Sequence, residues 1–235
     1  MTRLDLHIHT ALSACGENTM SPTQVLRSAR RRNVHVLAVT DHNATEAACL
    51  THRLAKGADI VVLPGIEIAT REEVHLLALF DEPDPLRELA RIIDAHLPSA
   101  LNDETLFGYQ LIYDENDEIV GVDEQLRQTA VNLGLDRLVD EIHALGGLAI
   151  PAHVFRPRNS LVSQLGFIDP DAAFDAVEIR PRYWRTGEYR LGDRVEGFPV
   201  MTGPDAHFLE DIGRHSMELP GRVVSTTADI RAALR

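Results

Sequence analysis

The segment Leu4-Asp5-Leu6-His7-Ile8-His9 predicts both the class of fold and the place of its chemistry. Side chains alternate along a strand, so the two leucines and the isoleucine share one face, and Asp5, His7 and His9 share the other. Two imidazoles then converge on one point. An exposed histidine pair on an edge strand is the alternative. This strand, however, is the apolar first element of a βα series, which places both rings at its carboxyl end, where barrel enzymes carry their active sites.

Seven short apolar runs rich in valine, isoleucine and leucine alternate with helical patterns, which is typical of βα units around a parallel sheet. We expect strands at residues 4–9, 34–39, 60–63, 74–79, 148–152, 176–179 and 200–202. Seven strands suit a barrel better than a small open sheet, so we predict an α/β barrel in a single domain over residues 1–235. The first helix begins with Ser21 as N-cap and Pro22 at its first position, and Gln24 completes a predicted capping box.

The βα alternation breaks between residues 101 and 135. Residues 109–113 and 118–120 form two predicted strands joined by the polar turn 114–117, so we expect an inserted β-hairpin at about 107–121. Insertions of this kind decorate the rim of an active site or mediate association.

Composition disfavours several classes of function. The 235 residues carry a formal net charge of −13 at pH 7, which opposes nonspecific attraction to long nucleic acid or to an anionic membrane. No stretch approaches the roughly 18 apolar residues of a membrane span, so we expect a soluble, cytoplasmic protein. Cys15 and Cys49 lie far apart in sequence, and no disulfide is expected. The 11 histidines are more informative, because most of them stand beside carboxylates.

The predicted strands deliver imidazoles and carboxylates to one rim. Besides His7 and His9, the strands and the turns after them carry His42, Glu67, His75, His153, Asp205 and His207. So many ionisable groups would lose hydration without compensation, whereas divalent cations offset that cost. Imidazole combined with carboxylate suits zinc, manganese or iron. The two oxygens of Glu67 can bridge two cations, and water acidified by them would be the nucleophile of a hydrolysis.

These residues occur in an ordered series of short motifs. They are Asp5-Leu6-His7-Ile8-His9-Thr10 with Ser13, then Thr40-Asp41-His42, Gly65-Ile66-Glu67, His75, Pro151-Ala152-His153 and Asp205-Ala206-His207. The series resembles the PHP (polymerase and histidinol phosphatase) superfamily over nearly the whole chain. The resemblance implies a distorted seven-stranded α/β barrel that hydrolyses phosphoesters at two or three divalent metal ions.

The same resemblance implies a ligand set. It assigns the first metal to His7, His9, Glu67 and Asp205, the second to Glu67, His75 and His153, and the third to His42 and His207. Family members with a full third site often carry histidine two positions after the serine of the first motif, where this chain has Cys15. A thiolate can bind zinc or iron. The alternative is a small buried side chain beside a weak or absent third site.

Two carboxylates and two arginines are further candidates. Asp5 and Asp41 stand beside the expected ligands and would orient them by hydrogen bonds, although a strand-end bond or a helix cap also explains Asp41. Arg158 and Arg180 follow ligand-bearing strands, and their guanidinium groups match phosphate oxygens; ion pairs with acidic neighbours are the alternative. His35 shares a strand face with apolar residues, so a core position is expected.

Together these patterns predict a phosphoesterase that acts on a small phosphomonoester or a nucleotide. Glu67 and Asp205 would hold the cations that supply the attacking hydroxide, and His207 or a metal would assist the leaving alkoxide. A nuclease or exonuclease with the same centre is one alternative, and an extended electropositive groove would favour it. A noncatalytic metal-binding regulatory domain and a hydrolase of carbon centres are the others. The oligomeric state is left open.

Overall fold

The computed structural model describes residues 1–234, which form eleven strands and seven helices. The strands are Thr2–Ile8 (β1), Val36–Val39 (β2), Val61–Ala69 (β3), His75–Leu79 (β4), Leu111–Tyr113 (β5), Ile119–Val122 (β6), Leu148–Pro151 (β7), Val177–Ile179 (β8), Arg194–Val195 (β9), Phe198–Thr202 (β10) and Met217–Leu219 (β11). The helices are Pro22–Arg31 (α1), Glu46–Leu54 (α2), Pro83–His96 (α3), Leu135–Ala144 (α4), Leu161–Leu165 (α5), Pro181–Arg185 (α6) and Thr227–Leu234 (α7).

A curled six-stranded sheet of order β11-β1-β2-β3-β4-β7 meets a three-stranded sheet of order β8-β10-β9 at two seams. At one seam, His9 N–H donates to the carbonyl of Ala206 at 2.9 Å, and Ala206 N–H donates to the carbonyl of His7 at 3.0 Å. At the other seam, Val154 N–H donates to the carbonyl of Glu178 at 2.9 Å. The seven predicted strands correspond to β1, β2, β3, β4, β7, β8 and β10. The prediction of a distorted α/β barrel is therefore confirmed.

The sheet departs from a uniformly parallel barrel at β4. Strands β1, β2 and β3 pair in parallel, but β4 pairs antiparallel with both β3 and β7. The cause is the short connection between Ala69 and His75, where Thr70 N–H donates to the carbonyl of Val74 and Glu73 adopts a left-handed φ of 59°. No crossover helix fits in so few residues, so the chain reverses. The reversal brings the start of β4, rather than its end, to the rim where β3 ends.

A register irregularity in β1 separates the acidic residue of the first motif from its histidines. The pairing of β1 with β2 shifts between Asp5 and Ile8. Leu4 and Leu6 pack in the apolar cluster that includes α7, whereas Ile8 packs in the cluster that contains α1 to α4. The expected alternation, with all three apolar residues on one face, is therefore wrong beyond Leu6. A bulge of this kind redirects the side chains that follow it, which here are those of His7 and His9.

The inserted hairpin is present as the antiparallel pair β5 and β6. Its turn residue Asp117 accepts hydrogen bonds from the Ser21 hydroxyl and from the side-chain amide of Gln24, the latter at 2.9 Å. Ser21 caps α1 by accepting from the backbone N–H of Gln24 at 3.3 Å. The predicted capping box is therefore wrong in its second half, because the Gln24 side chain binds the hairpin instead of the N-cap backbone.

Three smaller expectations have mixed outcomes. His35 is exposed and accepts a hydrogen bond from Arg3 N–H at 3.1 Å, so the expected core position is wrong because β2 begins only at Val36. Cys15 and Cys49 are free thiols, as expected. Within residues 1–234, no helix combines the length and apolar character needed to cross a bilayer.

Candidate metal centre

Glu67 lies at the middle of the polar rim and is fully buried near the end of β3. Five imidazole rings surround its carboxylate. Oε1 lies 3.0 Å from His75 Nδ1, 3.3 Å from His7 Nε2 and 3.3 Å from His153 Nε2, and Oε2 lies 3.0 Å from His42 Nδ1 and 3.4 Å from His9 Nε2. The two oxygens thus face different sets of donors, which is the arrangement that a bridging carboxylate requires.

Four of the predicted ligands form the first potential metal position. The Nε2 atoms of His7 and His9 lie 3.2 Å apart, and Asp205 Oδ1 lies 3.3 and 3.2 Å from them. With Glu67, the neighbouring atoms are 3.2–3.4 Å apart. Four atoms about 3.3 Å apart mark a tetrahedron with its centre about 2.0 Å from each, which matches zinc bonds to nitrogen and oxygen. The spacing therefore fits a divalent cation.

His75 and His153 form a second position with Glu67 Oε1. The ring of His75 is held on its other side by the Asn159 amide, 3.0 Å from Nε2. Burial lowers the pKa of His75 to about 4, which keeps the ring neutral and able to bind a cation. His153 is buried and adopts a left-handed φ of 34°. Such a conformation is strained for a non-glycine residue, and strain of this kind is concentrated at functional sites.

Cys15 and three imidazoles form a third group. One ligand atom from each of His9, Cys15, His42 and His207 lies within 4.8 Å of the others. Burial opposes ionisation of the thiol, but hydrogen bonds from His207 and His42 outweigh it and lower the pKa of Cys15 to about 5. His207 Nδ1 donates to the carbonyl of Asp205 at 2.8 Å, which leaves only Nε2 as a free donor atom.

Glu178 orients His7, and sequence reasoning missed it. Its carboxylate is buried on β8 and accepts from His7 Nδ1 at 3.0 Å and from the backbone N–H of His153 at 3.0 Å. The bond to Nδ1 fixes the tautomer that leaves His7 Nε2 free for a cation. Gly203 makes room for this pair, since a Cβ there would lie 2.5 Å from Glu178 Oε1. The available signal was a glutamate between Val177 and Ile179 in an apolar strand.

Asp41 acts on His9 through Ser13. The Asp41 carboxylate accepts from the backbone N–H and hydroxyl of Thr10, each at 2.7 Å, and from the Ser13 hydroxyl at 2.6 Å. Ser13 Oγ then accepts from His9 Nδ1 at 3.1 Å and from the backbone N–H of His42 at 3.1 Å. Because the serine proton is donated to Asp41, the proton on His9 lies on Nδ1 and its Nε2 is free.

Asp5 does not contact the histidines, contrary to the expectation that it orients them. Its Oδ2 accepts from the backbone N–H of Gly213 at 2.6 Å. Burial raises the pKa of the Asp5 carboxyl to about 7. The register shift in β1 explains this position, because it separates Asp5 from the face that carries His7 and His9.

The electrostatics of the cluster call for positive charge. Burial disfavours ionisation of Glu67 and Asp205, yet the surrounding histidines hold the pKa of both carboxyls well below the usual range. Conversely, burial and His42 oppose protonation of His9, but Asp205 and Glu67 outweigh them and raise the pKa of His9 to about 9. Among the described residues, Glu67 Oε2 and His42 Nδ1 are buried without a hydrogen bond. Divalent cations would satisfy these atoms and replace the protons.

The predicted phosphate-binding arginines lie away from the cluster. Arg158 and Arg180 are exposed, and within residues 1–234 neither side chain makes a hydrogen bond or an ion pair to a site residue. Arg156, which the sequence analysis passed over, is the arginine at the rim. Its Nη1 lies 3.3 Å from Asp205 Oδ2 and 3.4 Å from His153 Nε2.

A cavity of about 260 Å³ opens beside His42 and His75. Its other lining residues are Ala69, Glu73, Gln128, Thr129, Ala130 and Asn159. A larger cavity of about 820 Å³ lies between α2, α3 and the hairpin, but it contains none of the cluster residues. The space next to the cluster is therefore small compared with typical ligand pockets of roughly 300–1,000 Å³.

Comparisons with known proteins agree with this geometry. The sequence profile of the PHP domain matches residues 5–145, more than half of the chain. The chain belongs to the PHP family. It is therefore a metal-dependent hydrolase that acts on phosphoester bonds.

The relatives of this PHP chain differ in their described activities. An uncharacterised protein of Methanocaldococcus jannaschii is 25% identical over 193 residues, which are 79% of this chain and 85% of that protein. A 3′,5′-nucleoside bisphosphate phosphatase of Chromobacterium violaceum is 31% identical over 86 residues, 35% of this chain and 29% of that enzyme. The fold of a lesion-specific endonuclease from Pyrococcus furiosus matches 99% of this chain and 55% of that protein, with a TM-score of 0.65 and 17% identity.

Proposed function

We propose that residues 1–235 act as one domain that removes phosphate from a small phosphomonoester or a nucleotide. The observation that carries the proposal is Arg156, placed 3.3 Å from Asp205 beside the cluster. A guanidinium next to a cation-binding carboxylate offers two N–H donors to the oxygens of a terminal phosphoryl group. The small neighbouring cavity and the net charge of −13 both favour a compact substrate over a long polyanion.

The side chains divide the work of the reaction. Glu67, Asp205 and the imidazoles would hold two or three divalent cations, which supply Lewis acidity and an acidified water when bound. Glu178, Ser13 and Asn159 hold the rings of His7, His9 and His75 in fixed orientations. Arg156 would bind the phosphoryl oxygens, and its attachment to Asp205 keeps it at the reacting end of the substrate.

The two roles predicted for His207 exclude each other at one nitrogen. Its Nδ1 is committed to the Asp205 carbonyl, so Nε2 can either bind a third cation or protonate a leaving oxygen. The proximity of Cys15 and His42 favours the ligand role. Under this assignment the leaving oxygen departs without an acid from His207.

The test is release of phosphate from a panel of nucleotides, sugar phosphates, amino-alcohol phosphates and short oligonucleotides. The protein is loaded separately with manganese, zinc or iron, and Asp205→Asn serves as the inactive control. We expect turnover of a monoester that disappears in the control. Internal cleavage or trimming of oligonucleotides without monoester turnover would favour a nuclease. Silence across the panel with metals bound would reject phosphoester hydrolysis by this centre.

A further inference from the structure

The loop that carries Cys15 is built to hold the thiol against the third group of imidazoles. Gly16 N–H donates to the carbonyl of Ser13 at 2.8 Å, and Glu17 N–H donates to the carbonyl of His207 at 2.9 Å. A Cβ at Gly16 would lie 2.3 Å from the Thr10 carbonyl oxygen, so only glycine permits this path. The loop therefore ties Cys15 directly to the segment that carries His207.

Cys15 belongs to a cluster of donor atoms. The ring centroid of His9 lies 4.6 Å from that of His42 and 4.3 Å from that of His207, so three imidazoles pack beside the thiol. His42 is 4% exposed, and its Nδ1 has no hydrogen bond among the described residues. An unpartnered, buried imidazole within 4.8 Å of a thiol marks a position that a cation would complete.

The donor chemistry of this position differs from that of the other two. Glu67 and Asp205 supply carboxylate oxygens to the first position, and Glu67 supplies one to the second. The third group offers sulfur and imidazole nitrogen. Soft thiolate ligands select zinc, whereas oxygen-rich sites accept manganese.

Resting on the proposed function, we propose that Cys15, His42 and His207 form a thiolate site that selects zinc. The first two positions, which contain carboxylate, accept manganese or iron. The centre then holds two kinds of metal when both are supplied, and Cys15 sets the difference.

The experiment uses cobalt as a spectroscopic probe in the full-length protein. A thiolate bound to Co²⁺ gives a ligand-to-metal charge-transfer band in the near ultraviolet, which imidazole and carboxylate do not give. We compare the wild type with Cys15→Ser and Cys15→His, and with Cys49→Ser as a matched control. Cys49 is a free, partly buried thiol beside Arg87, outside the cluster.

The expected result is a band in the wild type and in Cys49→Ser that is lost in both Cys15 variants. After loading with equimolar zinc and manganese, the wild type should retain about one zinc per chain, and Cys15→Ser should lose most of it. A band that persists in Cys15→Ser would overturn the proposal. So would its absence from the wild type when cobalt is bound.

Two features keep the result decisive. If Cys15→Ser fails to fold, Cys15→His and the presence or absence of the band in the wild type still decide the question. Phosphate release is not measured here, so a thiolate band in a protein that hydrolyses none of the panel would support the zinc site while rejecting the proposed function.

Discussion

At the scale of single residues, the histidines of the centre depend on a shell of acceptors that fixes their tautomers. Glu178 binds His7, Ser13 binds His9 and the Asn159 amide contacts His75. Each of these contacts engages one ring nitrogen and leaves the other to face the cluster. Such partners usually change metal affinity or activity by about 10–100-fold when they are removed.

Replacing Glu178 tests this dependence. Glu178→Gln keeps an oxygen that can accept from His7 and from the His153 backbone but removes the charge, whereas Glu178→Ala removes both. We expect metal affinity to fall about 10-fold in the first variant and about 100-fold in the second. Competition with a chelator of known affinity measures the change, and Glu124→Gln, a conservative change in the loop after β6, is the control. Equal affinity in all four proteins would contradict the role given to Glu178.

Arg156 is the residue on which recognition of phosphate depends. Arg156→Ala should raise KM for the phosphomonoester and lower kcat/KM about 100-fold, because a charged hydrogen-bonding partner of the phosphoryl group is lost. Arg156→Lys should recover only part of the loss, since lysine lacks the planar fork. Arg158→Ala is the matched control, two residues away on the exposed side. Steady-state kinetics check this, and a larger effect at Arg158 would restore the sequence-based assignment.

The sequence predicted some of these residues and not others for physical reasons. The histidines and acids of the motifs stand at strand ends, where local pattern alone indicates convergence. Glu178 and Arg156 gain their roles from tertiary contacts, to His7 on β1 and to Asp205 after β10. Nothing in their local sequence distinguishes them from a solvated acid or a surface arginine. Asp5 was assigned to the histidines because the strand was taken as regular, and the bulge removes it from them.

At the scale of elements, hydrophobic pattern predicted the strands better than their directions. All seven expected barrel strands are present. The direction of β4 depends on a five-residue connection with a strained Glu73, and apolar periodicity carries no information about direction. The reversal has a functional consequence, because it places His75 at the start of its strand and within 3.0 Å of Glu67.

The hairpin is fastened to α1 by the carboxylate of Asp117. Asp117→Asn keeps a residue that tolerates the left-handed φ of 72° but weakens the bonds from Ser21 and Gln24. We expect a loss of about 1 kcal/mol in the free energy of unfolding, and a melting temperature lower by about 2–4 °C. Glu115→Gln, in the same turn, removes only an exposed ion pair with Arg53 and should change little. Calorimetry decides, and equal melting temperatures would contradict the fastening.

At the scale of the whole molecule, the cluster concentrates ionisable groups that folding removes from water. Glu67, Asp205, Glu178 and Cys15 compete for protons with six imidazoles within one rim. In the chelated protein the compensation comes from protonated histidines, and the raised pKa of His9, about 9 against an ordinary 6.5, records it. Metal binding and folding are therefore coupled in this chain.

Chelation should consequently lower the melting temperature and make it depend on pH. A cation at 100 times its dissociation constant adds about 2.7 kcal/mol per site, so its removal should cost roughly 5–10 °C per site. Because the folded pKa of His9 is raised, its stabilisation of the chelated protein is full below pH 6.5 and is lost as pH rises through about 9. Melting curves with and without chelator from pH 6 to 9 measure both effects. The His7→Ala/His9→Ala protein should respond weakly to chelator, and an unchanged wild-type melting temperature after verified metal removal would refute the coupling.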